Sequence, residues 1–298
     1  MHKIISKSAT NMYEQIYRLV KDVCTGISED CLTLLKEAKE KEKNKTAKDI
    51  LETMLVNTKL AKQQQKPVCQ SPGFPTCYIS FGEQSNLQDI QDSLPKAIQA
   101  ATKDGYLRPS MVHPLTRKNT GNNSGIGIPN MEYQYVPGQN YLQLIISFKG
   151  CGAELGNALK IFTPAQLGKK YTGLKRFILR AVIEAGGKPC PPVAVGIGIG
   201  GQMDVAARLS RKAVSIRDWR DTHPDPGISN LESYLLQAVN SLGIGPAGMG
   251  GDTTALAVKI ELSHTHTAIA PVAVNFHCWV ARKGGIKIFP DATIQRIF

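Results

Sequence analysis

At 298 residues, with 42% hydrophobic and 20% charged side chains, the chain is long enough for one large domain or two ordinary ones and can bury a core without disulfide staples. Its seven cysteines are odd in number, widely and irregularly spaced and without a CxxC pair; this disfavours a disulfide framework or a zinc ribbon and fits a reducing, cytoplasmic setting. Lys and Arg outnumber Asp and Glu by 36 to 24, a formal net charge of +12, which an anionic substrate, an acidic partner subunit or nucleic acid would each explain. The most basic stretch, KEAKEKEKNKTAK, is mixed with Glu and has no interleaved aromatics, so nucleic-acid binding is not expected there and a solvated helix face is. No run of about 18 apolar residues predicts a membrane span, and the opening MHKIISKSATNMYEQIYRLV lacks the apolar core and cleavage site of a signal peptide.

Residues 1–66 read as a helical section. NMYEQIYRLVKDV places Met12, Ile16, Leu19, Val20 and Val23 on one stripe, Ser28 is set to cap a second helix through CLTLLKEAKE, and AKDILETMLVNTKLAK repeats apolar residues at Ile50, Leu51, Met54, Leu55 and Leu60. Pro67, Pro72, Gly73 and Pro75 then stop helical structure, and PVCQSPGFPTC, residues 67–77, reads as neither helix nor strand. Residues 67–298 read as a mixed α/β body. Short buried strands are expected at YLQLIISF, VAVGIGI, ALAVKIEL and VAVNFHCWVA, with helices at LQDIQDSLPKAIQAATK, LKRFILRAVIEAG, DVAARLSRKAV and ISNLESYLLQAVNSL. Four glycine-rich turns punctuate it: TGNNSGIG, FKGCGAELG, GIGIGGQMD and GIGPAGMGGDTT.

Gly196, Gly198 and Gly201 satisfy the GxGxxG dinucleotide pattern between a strand and a helix. About 20 residues on, however, where that motif needs a second strand ending in an acid, stands RDWRDTHPDPG. A tight turn that brings the backbone close to something is the better reading. His264 and His266 would share a strand face but have no third ligand at zinc spacing, and there is neither a GxSxG elbow nor a P-loop. The sharper signal is in the cysteines. Cys24 and Cys31 sit in apolar periodic segments, as structural cysteines do, whereas Cys69, Cys190 and Cys278 lie beside prolines or at strand ends in PVCQSPG, GKPCPPVAVG and NFHCWVARKG. Three thiolates from distant segments suit a cubane iron–sulfur cluster with one iron left open. On pattern alone, chance placement stays open.

TRKNTGNN, VGIGIGGQMDVAARLSRKA, LGIGPAGMGGDTTALAVKIE and HTAIAPVAVNFHCWVAR, in that order, resemble the alpha subunit of two-subunit class I fumarases and L-tartrate dehydratases, from about residue 10 to the C-terminus. The resemblance implies a hydro-lyase that hydrates or dehydrates a small dicarboxylate, fumarate/malate first and tartrate second. It implies a 4Fe–4S cluster held by Cys69, Cys190 and Cys278, whose open iron acts as a Lewis acid. It implies that Gln70, Arg108 and the backbone at Gly150 bind substrate and that His266 stands near the reacting centre, with a structural hydrogen-bonding role for His266 equally open. It also implies a beta subunit that supplies the catalytic base and a Lys-containing motif, in a heterodimer or heterotetramer, because no C-terminal swivelling domain follows IKIFPDATIQRIF.

Two departures from the family pattern stand out. The family's CQDTG reads CQSPG here, so Ser71 replaces an aspartate regarded as general acid, and Ser has no useful acidity near neutral pH. Cys151 interrupts a family glycine triplet. The alternative expectation is therefore a cluster-carrying or scaffolding subunit without hydratase turnover.

Overall fold

A computed structural model describes residues 12–83 and 87–297. The first residues of the helical section, and with them the opening of the stretch read for a signal peptide, lie outside the described residues. The helical section and the α/β body both appear as expected. Helices α1 (Met12–Cys24), α2 (Glu29–Lys41) and α3 (Lys45–Gln64) come first; α1 buries Ile16, Leu19, Val20 and Val23, all from the predicted stripe. The body follows as β1 (Phe74–Phe81), α4 (Leu87–Lys103), β2 (Asn130–Tyr135), β3 (Leu142–Lys149), α5 (Cys151–Leu155), β4 (Ala158–Phe162), α6 (Pro164–Leu167), α7 (Thr172–Ala185), β5 (Val193–Ile199), α8 (Met203–Ser215), α9 (Pro226–Asn240), β6 (Ala255–Leu262), β7 (Ala270–His277), β8 (Arg282–Ile288) and β9 (Ile294–Arg296). Among the described residues no helix is long and apolar enough to cross a membrane.

The chain divides into two compact units, neither continuous in sequence. The first comprises the described parts of residues 1–29, 57–149 and 281–298. Its sheet runs β2-β1-β3-β8-β9, with β1 and β2 parallel and the other neighbours antiparallel. Ile16, Leu19 and Val20 of α1 and Ile90, Leu94 and Ile98 of α4 share one core with Ile79, Leu144, Ile146 and Phe148 of the sheet.

The second unit comprises residues 30–56 and 150–280, with sheet order β4-β7-β5-β6. Only β5 and β6 are parallel. Residues alternate faces along β5. Val195 and Ile197 point into a core shared with Ile178 and Val182 of α7 and Leu235 and Val239 of α9. Gly196 and Gly198 lie on the other face, under α8. A Cβ there would come 2.1 Å from Ser210 O and 2.0 Å from Ala206 O, so these glycines let the helix backbone rest on the strand backbone.

Two sequence expectations need correction. The end of PVCQSPGFPTC is not irregular: Phe74–Cys77 open β1. Pro75 is tolerated because pairing with β2 begins only at Thr76, so a missing N–H at the strand's start costs little. VAVNFHCWVA is not one strand: β7 stops at His277, and residues 278–281 turn before β8.

Candidate functional site

Cys69, Gln70 and Arg108 lie in the first unit; Gly150, Cys190, His266 and Cys278 lie in the second. None of the seven cysteines, all among the described residues, is in a disulfide.

In the first unit the Cys69 loop connects α3 to β1. Its entry is fixed by buried Val68, whose N–H donates to Cys24 O at 3.1 Å and whose carbonyl accepts from Asn57 Nδ2 at 3.0 Å. Cys69 is half-buried, and the Ser71 N–H points at its sulfur from 3.4 Å. Arg282, 1% exposed at the start of β8, reaches the loop from below: Nη2 donates to Ser71 O at 2.5 Å and Nη1 to Cys69 O at 3.5 Å. The two carbonyls lie at either end of the Gln70–Ser71 segment, and Gln70 is exposed. The unit's other cysteines differ in kind: complete burial pushes the Cys24 thiol up to about 12, against an opposing pull from Arg282, and pushes the Cys77 thiol up further. Of the three, only Cys69 lies outside the sealed core.

Arg108 is exposed in the segment after α4. That segment is held by Asn123, 3% exposed, with φ of 56°. Asn123 Nδ2 donates to Arg108 O at 2.9 Å and to Thr102 Oγ1 at 3.0 Å, and its Oδ1 accepts the Ser110 N–H at 2.9 Å. Asn123 is a support that the sequence reading missed, although it falls in the TGNNSGIG turn and Asn tolerates the left-handed backbone there.

In the second unit Cys190 is exposed, with φ of 56°, at the end of a turn closed by its own N–H on Gly187 O at 3.1 Å. Two glycine-rich turns seat this loop. Ala247 N–H donates to Pro191 O at 2.8 Å, and a Cβ on Gly152 would come 2.3 Å from Lys188 O. The structure thus brings together the Cys190 loop, the turn that follows Gly150 and the GIGPAGMGG turn. Gly150 itself is buried and leads into α5 in an extended conformation that any residue adopts. Exposed Cys151 opens that helix.

Cys278 is buried directly after β7, its sulfur 3.8 Å from Val280 O. Cys31 Sγ donates to the neighbouring Trp279 O at 3.1 Å. His266 is exposed between β6 and β7, and its Nδ1 accepts the Ala268 N–H at 3.2 Å; in the neutral ring the proton then sits on Nε2. The GIGIGG turn braces this histidine loop: Gly201 N–H donates to His264 O at 3.1 Å and Thr265 Oγ1 to Gly201 O at 2.8 Å. These glycines therefore serve close backbone contacts.

Among the described residues no group of three or more His, Cys, Asp or Glu side chains converges on a single metal-ion position. A cubane makes a different demand, for three thiols spread around four irons. The residues present are of a kind that suits that group: soft sulfur donors, two of them near prolines in loops and the third just past a strand end, a backbone N–H aimed at Cys69 Sγ, and a buried guanidinium at the same loop whose Nε finds no partner among the described residues.

Comparison with known proteins shows the family. The family model described as fumarate hydratase (Fumerase) matches residues 13–287. "Putative L(+)-tartrate dehydratase subunit alpha" of Methanocaldococcus jannaschii is 38% identical over 283 residues, 94% of this chain and 98% of the relative. L(+)-tartrate dehydratase subunit alpha of Escherichia coli is 30% identical over 98% of this chain and 95% of its own length. "Putative fumarate hydratase class I" of Geobacillus stearothermophilus is 33% identical over 94% of this chain but only 55% of the relative.

Proposed function

Since the chain belongs to the fumarate hydratase (Fumerase) family, we propose that it is the cluster-bearing alpha subunit of a hydro-lyase that reversibly removes water from a small hydroxy-dicarboxylate. The observation that carries this reading is the end-to-end match to tartrate dehydratase alpha subunits, against a match to little more than half of the longer fumarate hydratase relative. Enzymes bearing these names support turnover over a scaffolding role, and L-tartrate and L-malate are the substrates to test.

Cys69, Cys190 and Cys278 would hold a 4Fe–4S cluster. When bound, the cluster supplies a Lewis acid at its open iron, which weakens the substrate's C–O bond. The chain's own residues bind and orient. The exposed Arg108 guanidinium pairs bidentately with a substrate carboxylate, and the Gln70 amide donates to a carboxylate from a loop locked on both sides. The backbone at Gly150 offers a close approach, and His266 presents Nε2–H as a donor to the reacting hydroxyl. Ser71 cannot protonate a leaving hydroxide near neutral pH, so that proton comes from His266 or from the partner. A beta subunit supplies the base and the lysine motif in a heterodimer or heterotetramer, and the reducing cytoplasm suits an exposed cluster.

The test is anaerobic reconstitution of the full chain with its beta partner. The pair should show brown cluster absorbance and dehydrate L-tartrate or L-malate, and Cys69→Ser, Cys190→Ser and Cys278→Ser should each abolish the absorbance. A full cluster in the triple variant refutes the ligand set. A fully loaded pair inert on every hydroxy-dicarboxylate refutes the hydro-lyase reading.

A further inference from the structure

We propose, resting on the cluster reading above, that Arg282 is the positioning residue of the Cys69 loop: its guanidinium sets the direction of the Cys69 thiolate and the Gln70 amide, and its charge offsets that of the bound cluster. In the sequence it stands four residues after Cys278, as the last residue of HTAIAPVAVNFHCWVAR, and spacing gives it no role.

A buried cation without an anionic partner is costly. Arg282 is 1% exposed, yet it makes no ion pair among the described residues and its Nε–H has no acceptor there. Its named hydrogen bonds go to the carbonyls of Cys69 and Ser71. The Cys69 carbonyl lies in the peptide plane between Cys69 and Gln70, and the Ser71 carbonyl in the plane between Ser71 and Pro72. Holding both pins the Gln70–Ser71 segment at its two ends, and so restricts the directions in which the Cys69 and Gln70 side chains leave the backbone. The same clamp holds the Ser71 amide against Cys69 Sγ. Tying down two carbonyls two residues apart needs a rigid fork of donors, which Arg has and Lys lacks. A cubane with three thiolates is anionic, and the uncompensated charge of Arg282 is complementary to it. An arginine kept only for packing would not need its two forked nitrogens on this one loop.

The experiment compares wild type, Arg282→Lys and Arg282→Met as full chains, reconstituted anaerobically and then exposed to a chelator. Arg217→Met, matched for loss of thermal stability, serves as control. Cluster absorbance should decay about 10- to 100-fold faster in Arg282→Met and to an intermediate degree in Arg282→Lys, as losses of groups behind metal ligands do. In the cluster-free chains, amide exchange at Ser71 and Gly73 should rise while that of β3 holds. Decay in Arg282→Met no faster than in the Arg217→Met control overturns the proposal; if Arg282→Met does not fold, wild-type decay in Arg282→Lys does so. A wild-type chain that takes up no iron overturns the cluster reading and this proposal together, and is seen before any variant is compared.

Discussion

Glu42 receives the backbone N–H of Asp252 on both of its carboxylate oxygens, each at 3.0 Å. It also accepts the N–H of Thr253 at 3.1 Å and of Asn44 at 3.1 Å, and it is 3% exposed. This carboxylate sits in KEAKEKEKNKTAK, the run expected to be a solvated helix face. Most of that run is solvated, but α2 ends at Lys41 and the corner turns Glu42 inward, onto the end of the loop that leads into β6. The same turn, through Ala247, seats the Cys190 loop. Glu42→Gln keeps the shape, loses the charge and leaves one oxygen to share the amides. It should cost about 1.5–3 kcal/mol, the range for hydrogen bonds to a charged group, and speed amide exchange at Asp252 and Thr253. Urea unfolding together with exchange mass spectrometry would read both effects.

Thiol reactivity should sort the cysteines by environment. Cys151 and Cys190 are exposed, Cys69 is half-buried, and Cys24 and Cys77 are sealed in the first unit's core with their thiols pushed up. In the cluster-free chain at about pH 8, near the ordinary thiol range, iodoacetamide should modify Cys151 and Cys190 first and Cys24 and Cys77 only on unfolding. Loading the cluster should protect Cys190 and leave Cys151 reactive. Protection of Cys151 instead, seen by peptide mapping, would assign the ligand wrongly.

The sequence was legible where one periodicity dominates. The α1 stripe, α4, α7, α8 and α9 and the apolar cores of β3, β5 and β6 all follow from spacing. It was not legible where pairing alone makes a strand. NMEYQY and RKGGIKI carry weak or mixed patterns and become β2 and β8 only through ladders with β1 and β3. Proline-rich 67–77 hid the start of β1 for the same reason. The cysteine loops stood out through their prolines and strand-end setting, and resemblance gave them roles. Arg282, Asn123 and Glu42 were invisible because each acts on backbone groups far along the chain, and no local spacing reports such a contact.

Acid should weaken the second unit through Asp221. Burial alone would raise its carboxyl, but hydrogen bonds from Arg217 at 2.6 Å and Lys259 at 2.8 Å overcome this and hold it below the usual range. A carboxyl depressed on folding contributes stability that is fully present above its unfolded pKa and lost as pH falls through the folded one. Unfolding free energy should therefore fall as pH drops below about 4, the ordinary aspartate value, and Asp221→Asn should flatten that part of the profile. An unchanged acid limb in the variant would remove Asp221 from the account.

Gly198→Ala tests the contact of α8 with β5. The new methyl would lie 2.0 Å from Ala206 O and 2.6 Å from Ser210 N, backbone atoms that cannot swing away. Helix and strand must separate, and overpacking of this kind costs about 1–3 kcal/mol or more. Gly250→Ala is the contrast: a Cβ there meets nothing within 4 Å, so only the strain of its φ of 87° is at stake. Thermal melts of the two variants should rank Gly198→Ala as the more destabilising.

Ser71→Asp addresses the departure that bears most directly on chemistry. The backbone of residue 71 is already committed: its N–H points at Cys69 Sγ and its carbonyl is held by Arg282, and the substitution keeps both contacts. Only the side chain changes, from a hydroxyl with no useful acidity to a carboxyl able to pass a proton to a leaving hydroxide. If the missing acid limits turnover, kcat for L-malate dehydration by the reconstituted pair should rise about 100-fold or more at unchanged iron content, the range for a positioned general acid. If Ser71 instead selects a different hydroxy acid, the variant should lose the native activity, with malate turnover no better than before. Steady-state kinetics on L-malate and L-tartrate, normalised to cluster content, separates the two outcomes.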